Sequence, residues 1–270
     1  MTRLPTVFVS HGAPTFALEP GLAGPQLGAL GRALPRPQAV LVVSPHWMTQ
    51  GARVGLSPQP ATIHDFGGFP QPLYDIRYPA TGHPELARRT LAVLQQAGWS
   101  AQGDERRGLD HGAWAPLLHL YPDADLPTLQ VSLPFDANPN SAYALGQAFV
   151  PLADDGVLII GSGSLTHNLD EFRMSESEGD AAAYAQEFSA WIREAVAAGD
   201  LARLRQALDL APYAARAHPT NEHFLPLLVA AGAALKHTPV TVLNGGIRHG
   251  VLSMESYVFG QALDLEFGKP

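Results

Sequence analysis

Three apolar segments of this chain each lead into a histidine. Runs of aliphatic and β-branched residues of this length are typical of buried strands, and the glycine and proline that follow favour turns. Because the carboxyl ends of parallel strands meet at one edge of a sheet, the pattern predicts imidazoles that converge on one metal ion. The segments and their histidines are residues 7–9 with His11, residues 41–43 with His46, and residues 157–160 with His167.

The rest of the chain alternates strand-like and helix-like segments, with no shift in composition that would mark a domain boundary. Hydrophobic residues make up 46% of the 270 residues, which is enough for a sizeable core. The alternation predicts an α/β fold: a single domain over residues 1–270, with a largely parallel or mixed central sheet and helices on both faces. Helices are predicted over residues 84–97, 142–152 and 180–197.

Charge and cysteine content exclude several classes of protein. The formal net charge is -8 and Lys and Arg form no cluster, which argues against a nucleic-acid partner. No apolar run approaches the length of a membrane span, and the first residues do not resemble a signal peptide, so we expect a cytoplasmic protein with no membrane partner. The oligomeric state is left open. Without cysteine, the eleven histidines and the carboxylates are the remaining strong metal ligands.

His11 and His46 are the clearest ligand candidates because each ends a predicted strand. His167 has a competing interpretation, since the loop over residues 161–166 is also an incomplete dinucleotide-binding fingerprint that lacks the third glycine. No serine has glycine both two residues before and two residues after it, as a nucleophile elbow requires. We expect structural roles for the histidines that lie on or beside predicted helices, namely His83, His119 and His237.

Two further histidines, His218 and His223, precede a predicted apolar helix. If that helix begins after Asn221, His218 lies outside it and His223 lies in its first turn, so both can face one site. Glu222 is a competing ligand. Two or three neutral imidazoles, with or without a carboxylate, suit Fe(II) with open positions, and they suit zinc equally well.

Residues 61–80 form a long aromatic and proline-rich segment without periodicity. Long loops of this kind are often functional, so we predict a loop that covers the site. Its aromatic residues Phe66 and Phe69 would supply a dry wall for a bound ring.

Six motifs in this order resemble the class III (LigB-type) extradiol ring-cleavage dioxygenases, and most closely the 4,5-DOPA extradiol dioxygenase-like branch. Together with Tyr257 they cover nearly the whole chain, which makes the set specific. The motifs are Val9-Ser10-His11-Gly12-Ala13-Pro14, Ser44-Pro45-His46-Trp47, His64-Asp65-Phe66-Gly67-Gly68-Phe69-Pro70, Asp110-His111-Gly112-Ala113-Trp114, Gly163-Ser164-Leu165-Thr166-His167-Asn168 and His218-Pro219-Thr220-Asn221-Glu222-His223-Phe224.

This resemblance implies a non-haem Fe(II) enzyme that uses O2 to open a DOPA-like catechol next to its hydroxyls, giving a semialdehyde. It implies His11, His46 and His223 as metal ligands, whereas the broader family has glutamate as the third ligand. Because an all-histidine set is also a good zinc site, Zn(II) is an alternative occupant. His167 matches the acid/base histidine and is also a candidate fourth metal contact. The substrate contacts implied are His111, His64, His218 and Tyr257.

Two other functions fit the same residues. A zinc hydrolase would use a metal-bound hydroxide, with His167 or Glu222 as its base. A non-catalytic metal-binding protein could have the same fold, and fold alone does not separate the three functions. The sequence therefore predicts a dioxygenase whose partners are O2 and a small catechol, with these alternatives open.

Overall fold

The computed structural model describes residues 3–173 and 181–265, and these ranges contain ten β-strands. Eight strands form one sheet, and two short strands pair separately. In chain order the strands are β1 (Thr6–Ser10), β2 (Ala39–Thr49), β3 (Ala52–Gly55), β4 (Ala101–Asp104), β5 (Thr128–Pro134), β6 (Val157–Gly163), β7 (Val240–Leu243), β8 (Ile247–Arg248), β9 (Leu252–Ser253) and β10 (Ser256–Phe259).

Eleven α-helices lie within the described ranges, with short 3-10 helices at Pro14–Ala17 and Leu169–Glu171. Among the described residues, no helix is long and apolar enough to cross a membrane. The helices are α1 (Ala23–Ala33), α2 (Gln71–Asp75), α3 (Pro84–Gln96), α4 (His111–Leu120), α5 (Pro139–Ala148), α6 (Val150–Asp154), α7 (Ala183–Ala197), α8 (Leu201–Arg205), α9 (Ala207–Leu210), α10 (Ala214–Ala217) and α11 (Leu225–Ala233).

The strand order in the main sheet is β4-β3-β5-β2-β6-β1-β10-β7. The four central strands β5, β2, β6 and β1 pair in parallel, as do β3 and β4. The pairs β3–β5, β1–β10 and β10–β7 are antiparallel. The sheet is therefore mixed with a parallel centre, which places the carboxyl ends of β1, β2 and β6 side by side.

Both faces of the sheet are covered, as alternate side chains of β2 show. Leu41 and Val43 pack into a hydrophobic cluster with α3, α5, α7 and α11. Val40 and Val42 pack into a second cluster, on the opposite face, with α1 and α4. A strand buried on both faces needs an unbroken apolar run, which is what the sequence contains here. The predicted α/β fold, with helices on both faces of a mixed sheet, is confirmed.

The prediction that β2 ends at His46 is wrong. Its register with β5 shifts between Ser44 and Met48, so residues 45–47 bulge and the strand continues to Thr49. Bulges of this kind re-aim side chains and are common next to active sites. His46 therefore lies within a distorted strand rather than in the turn that follows it.

Helix boundaries also differ from the predictions. The segment over 142–152 forms two helices, α5 and α6, which meet at Phe149, and α5 starts earlier because Asn138 caps it. Residue 180, the predicted start of the next helix, lies outside the described residues, and α7 begins at Ala183. The apolar helix α11 begins at Leu225 rather than after Asn221, so His223 lies in the preceding turn.

Candidate active site

Three imidazoles meet at the edge formed by the carboxyl ends of the central strands. His11 follows β1, His46 lies in the bulge of β2, and His223 precedes α11. One ligand nitrogen from each lies within 4.8 Å of the other two. The Nε2 atoms of His11 and His46 are 3.1 Å apart. The structure thus brings together the three residues predicted as metal ligands.

The proton on His11 is positioned by Ser162. The Ser162 hydroxyl donates its single proton to the carbonyl of Gly112. The same oxygen therefore accepts a hydrogen bond from His11 Nδ1, which lies 2.9 Å away. Because β1 and β6 pair in parallel, Ser162 lies opposite Val9 and close to the ring. His11 Nε2 is left with a lone pair that faces His46.

Asp65 contacts two imidazoles of the site. His111 donates to this carboxylate twice, from its backbone N–H and from Nδ1, each over 2.9 Å. His46 Nδ1 lies 3.4 Å from the same carboxylate, which favours a proton on that nitrogen too. Burial opposes ionisation of Asp65, but the hydrogen bonds from His111 outweigh it and lower the pKa to about 2. With Asp65 charged and a proton on Nδ1 of both rings, each Nε2 has a lone pair that can accept a hydrogen bond or bind a metal ion.

His223 is held by the main chain of β6. Its carbonyl accepts a hydrogen bond from the Ser164 N–H over 3.0 Å. Gly163 permits this approach, since a Cβ there would lie 2.2 Å from the His223 carbonyl oxygen. The ring donates from Nδ1 to Glu222 over 3.1 Å, and its buried Nε2 has no protein partner. The unpartnered nitrogen belongs to the converging group.

His167 stacks on the ring of His223. Their ring centroids are 3.5 Å apart and the planes differ by 6°. A ligand nitrogen of His167 lies within 4.8 Å of ligand atoms of Glu222 and His223. Burial lowers the pKa of His167 to about 4, so the imidazole is neutral at pH 7. A neutral imidazole beside the three converging nitrogens can accept a proton from a bound molecule.

The donor set fits a divalent metal ion. Burial, reinforced by the neighbouring imidazoles, lowers the pKa of His46 to about 4 and the pKa values of His11 and His223 well below their usual range. Neutral imidazole is the form that binds metal. In each ring Nδ1 faces a hydrogen-bond acceptor, an arrangement that commonly orients metal-binding histidines.

A glycine permits the close packing around these rings. Gly112 is in the first turn of α4, and a Cβ there would lie 2.3 Å from Ser44 Oγ. The same atom would lie 3.0 Å from a ring carbon of His46 and 3.2 Å from one of His11. A larger residue at this position would displace both candidate ligands.

A cavity of about 330 Å³ lies beside the imidazoles. Four histidines, His46, His111, His167 and His223, form what we call the histidine floor. The predicted aromatic loop contributes Phe66 and Phe69, and Phe66 meets the ring of His111 edge-on at 5.6 Å. What we call the apolar wall comprises Gly12, Ala13, Pro14, Phe66, Phe69, Leu169, Phe172 and Leu252.

Of the predicted substrate contacts, His111 lines the cavity, whereas His64 and His218 lie outside it. His64 donates from Nε2 to the carbonyl of Ile76 over 3.1 Å and packs against Phe66, so it supports the aromatic loop. His218 donates from Nε2 to the carbonyl of Leu165 over 2.9 Å.

Tyr257, also a predicted substrate contact, lies in the core on β10. Its hydroxyl donates to Glu255 over 2.5 Å, and Arg193 from α7 binds the same carboxylate through Nε over 3.0 Å. The carbonyl of Glu255 accepts a hydrogen bond from the Ser10 hydroxyl over 2.7 Å. This network supports the end of β1 and does not face the cavity.

Three residues that shape the site are not among the predicted site residues: Asp65, Ser162 and Gly112. Asp65 stands within a recognised motif, but its partner His111 is 46 residues further along the chain. Ser162 is one of several serines in its loop, and only the pairing of β6 with β1 selects it. Gly112 follows a histidine, as Gly12 does, and this repeated His-Gly pair is the one sequence signal that could have pointed to Gly112.

Comparison with known proteins supports one enzyme class. The chain matches the family described as the catalytic LigB subunit of aromatic ring-opening dioxygenase over residues 27–260. It is 38% identical to a 4,5-DOPA dioxygenase extradiol of Escherichia coli (strain K12) over 96% of both chains. It is 40% identical to one of Beta vulgaris, over 94% of this chain and 96% of the other.

A crystal structure of an uncharacterized Escherichia coli K12 protein matches with a TM-score of 0.80 and 31% identity, covering 96% of this chain and all of the other. These matches decide against the zinc hydrolase and the non-catalytic protein, because the named relatives are dioxygenases over nearly their full length. The chain therefore belongs to the LigB family of aromatic ring-opening dioxygenases and is an extradiol dioxygenase.

Proposed function

We propose that the enzyme uses O2 and Fe(II) to open the ring of a catechol beside its two hydroxyls, giving a semialdehyde. His11, His46 and His223 hold the metal in this proposal. The observation that carries it is the convergence of their three ligand nitrogens, one of them buried without a partner, at the floor of an aromatic cavity. Imidazole donors suit iron and zinc alike, so Zn(II) is an alternative occupant of the isolated protein.

When bound, Fe(II) supplies Lewis acidity toward the catechol hydroxyls and the redox chemistry with O2. The protein contributes a proton acceptor: neutral His167 takes a hydroxyl proton and returns it later in the reaction. The Asp65 carboxylate keeps a proton on His111 Nδ1, so His111 Nε2 accepts a hydrogen bond from the substrate. His167 is also a candidate fourth metal contact, since one of its nitrogens lies within 4.8 Å of a ligand nitrogen of His223.

The apolar wall excludes water from the ring and orients it. The ring centroids of Phe66 and Phe69 are 5.4 Å apart with their planes at 80°, and Phe66 also meets His111 edge-on. Ring stacking and edge contacts of this kind favour a planar aromatic substrate. The relatives named for 4,5-DOPA make a DOPA-like catechol the first substrate to test.

The test is anaerobic loading with Fe(II), followed by addition of a catechol panel in aerated buffer. We expect one O2 consumed per catechol and a product mass equal to the sum of the two. Protein loaded with Zn(II) is the control and should consume no O2. Full iron occupancy without O2 uptake across the panel would contradict the proposal.

A further inference from the structure

We propose, on the basis of the function proposed above, that Arg107 is a positioning residue for the metal site. It lies outside the six sequence motifs, and the described residues that line the cavity do not include it. Its guanidinium binds the main chain of His46 and contacts the ring of the next residue. The direction in which this metal ligand points therefore depends on Arg107.

The bulge of β2 leaves His46 without a partner in either neighbouring strand. Among the described residues, β2 pairs with β5 up to Ser44 and again from Met48, and with β6 only up to Val43. The His46 N–H donates to the Ser44 hydroxyl over 3.3 Å, and the His46 carbonyl accepts a hydrogen bond from Arg107 Nη2 over 3.3 Å. Main-chain groups that no strand pairs need such partners, and Arg107 supplies one that the sheet does not.

The guanidinium also stacks on the next residue of the bulge. Its central carbon lies 5.0 Å from the centroid of the Trp47 ring, which is only 6% exposed. One planar group therefore holds two successive residues of the bulge, His46 through its carbonyl and Trp47 through its ring. A lysine ammonium is not planar and cannot bind an acceptor and stack on a ring in this way.

Arg107 is itself anchored to β5, the strand against which β2 bulges. It binds the fully buried Asp110 through Nη2 over 2.6 Å. Gln130 of β5 donates to the same carboxylate oxygen over 2.8 Å and accepts a hydrogen bond from the Asp110 N–H over 2.9 Å. A buried ion pair that is hydrogen-bonded to a strand leaves the guanidinium little freedom. His46 is therefore fixed relative to β5 although the strand pairing is interrupted.

The same ion pair fixes a second histidine of the floor. His111 follows Asp110 directly, as the first residue of α4. It donates to Asp65, whose carboxylate lies 3.4 Å from His46 Nδ1. A shift of the Arg107–Asp110 pair would therefore move both rings that meet at Asp65.

The first experiment compares metal affinity in Arg107→Gln and Arg3→Gln by chelator competition with Co(II). Arg3 is a matched control because it also binds a carboxylate, that of Asp154, and a main-chain carbonyl, that of Ala233. The two side chains are similarly exposed, 20% for Arg3 and 18% for Arg107, but Arg3 precedes β1 and so lies at the opposite end of the central strands. We expect Co(II) affinity to fall about 10- to 100-fold in Arg107→Gln alone. Wild-type affinity in Arg107→Gln, or an equal loss in Arg3→Gln, overturns the proposal.

The second readout is the visible absorption spectrum of the Co(II)-loaded protein, which reports the geometry of the metal ligands. We expect the bands to shift in Arg107→Gln and to match the wild type in Arg3→Gln. A role in folding alone would lower thermal stability and leave the spectrum of the loaded protein unchanged. That result contradicts the proposal.

Arg107→Lys keeps the test decisive if the glutamine variant does not fold, because lysine retains a cation beside Asp110. Lysine cannot stack on Trp47 while it binds the His46 carbonyl, so we expect a shifted spectrum and a loss of Co(II) affinity of about tenfold. Wild-type affinity together with a wild-type spectrum in Arg107→Lys overturns the proposal.

None of these measurements requires turnover, which separates this proposal from the proposed function. If the variants behave as expected but the iron-loaded wild type consumes no O2 with any catechol, the proposed function fails while the role of Arg107 stands. Absence of Co(II) binding in the wild type would overturn both.

Discussion

His218 and His223 lie five residues apart and are equally buried, each 6% exposed, yet their rings have opposite arrangements. His223 donates from Nδ1 to Glu222 and leaves Nε2 in the converging group. His218 donates from Nε2 to Leu165, and its Nδ1 lacks a partner between aromatic rings. Burial lowers the pKa of both, so a shifted pKa does not distinguish a ligand from a packing residue.

The two histidines differ in which ring nitrogen is hydrogen-bonded to the protein and in which groups surround the other ring nitrogen. Around His223, the free nitrogen meets nitrogens of His11 and His46. Around His218, the neighbouring rings are Phe188 and Phe224, which bind no metal. A buried histidine is therefore a ligand candidate when its unoccupied nitrogen faces other donors, and a core residue when it faces apolar rings.

The largest expected effect is on metal binding, when His223 and His218 are replaced in separate variants. His223→Ala should lose bound metal on desalting, because only two of the three converging imidazoles remain. The loss should exceed the roughly 10- to 100-fold weakening typical of removing a supporting partner. His218→Gln should keep wild-type metal content. Metal analysis after loading checks both variants, and full occupancy in His223→Ala would move the third ligand to Glu222 or His167.

Removing His167 separates metal binding from proton transfer. His167→Ala should keep its metal and lose turnover by about 100- to 10,000-fold, the usual contribution of a general base. Metal content and O2 uptake, measured on the same sample, give the two readouts. If the variant loses its metal as His223→Ala does, His167 is a ligand rather than a proton acceptor.

Asp65→Asn tests the carboxylate that orients two rings. An amide oxygen accepts a weaker hydrogen bond than a carboxylate, so His46 and His111 lose orientation without loss of volume. We expect metal affinity to fall by about 10- to 100-fold, measured by chelator competition. Unchanged metal affinity with lower activity would mean that Asp65 orients His111 toward the substrate and is not needed to orient the metal ligand His46.

The smallest effect concerns acid stability of the metal-free protein. Burial lowers the pKa of His218 to about 4, below the 6.5 of an unfolded chain. The unfolded state thus binds a proton first, and the free energy of unfolding falls as pH drops from 6.5 toward 4. His218→Gln should remove up to about 1.4 kcal/mol per pH unit of that slope. Urea unfolding at several pH values checks this, and an unchanged slope would mean that His218 takes up its proton in the folded state.

The sequence predicted what depends on local pattern. Apolar runs identified β1 and β2, and Pro84 marked the start of α3. The prediction that His11 and His46 lie together needed only the fold class, because the carboxyl ends of parallel strands meet at one edge of a sheet. The residue patterns also singled out His167 and His223, and the family resemblance supplied their expected roles. The structure brings His223 together with the first pair and stacks His167 on His223.

What the sequence could not predict depends on contacts between distant residues. The bulge that carries His46 exists only in the register between β2 and β5. Asp65 bonds to a residue 46 positions away. Tyr257 was expected at the substrate because of the family resemblance, but its ring packs in the core and its hydroxyl donates a hydrogen bond to Glu255. In each case a local signal leaves the spatial partner undetermined.

The histidine floor and the apolar wall differ in how closely the chain packs around them. The floor depends on strand ends and a turn locked by Gly112 and Gly163, where added atoms would collide with backbone or ligands. The wall includes Leu169 and Phe69, whose side chains meet solvent. Natural variation or directed evolution can therefore exchange the wall and diversify the accepted substrates while the reaction chemistry is inherited unchanged.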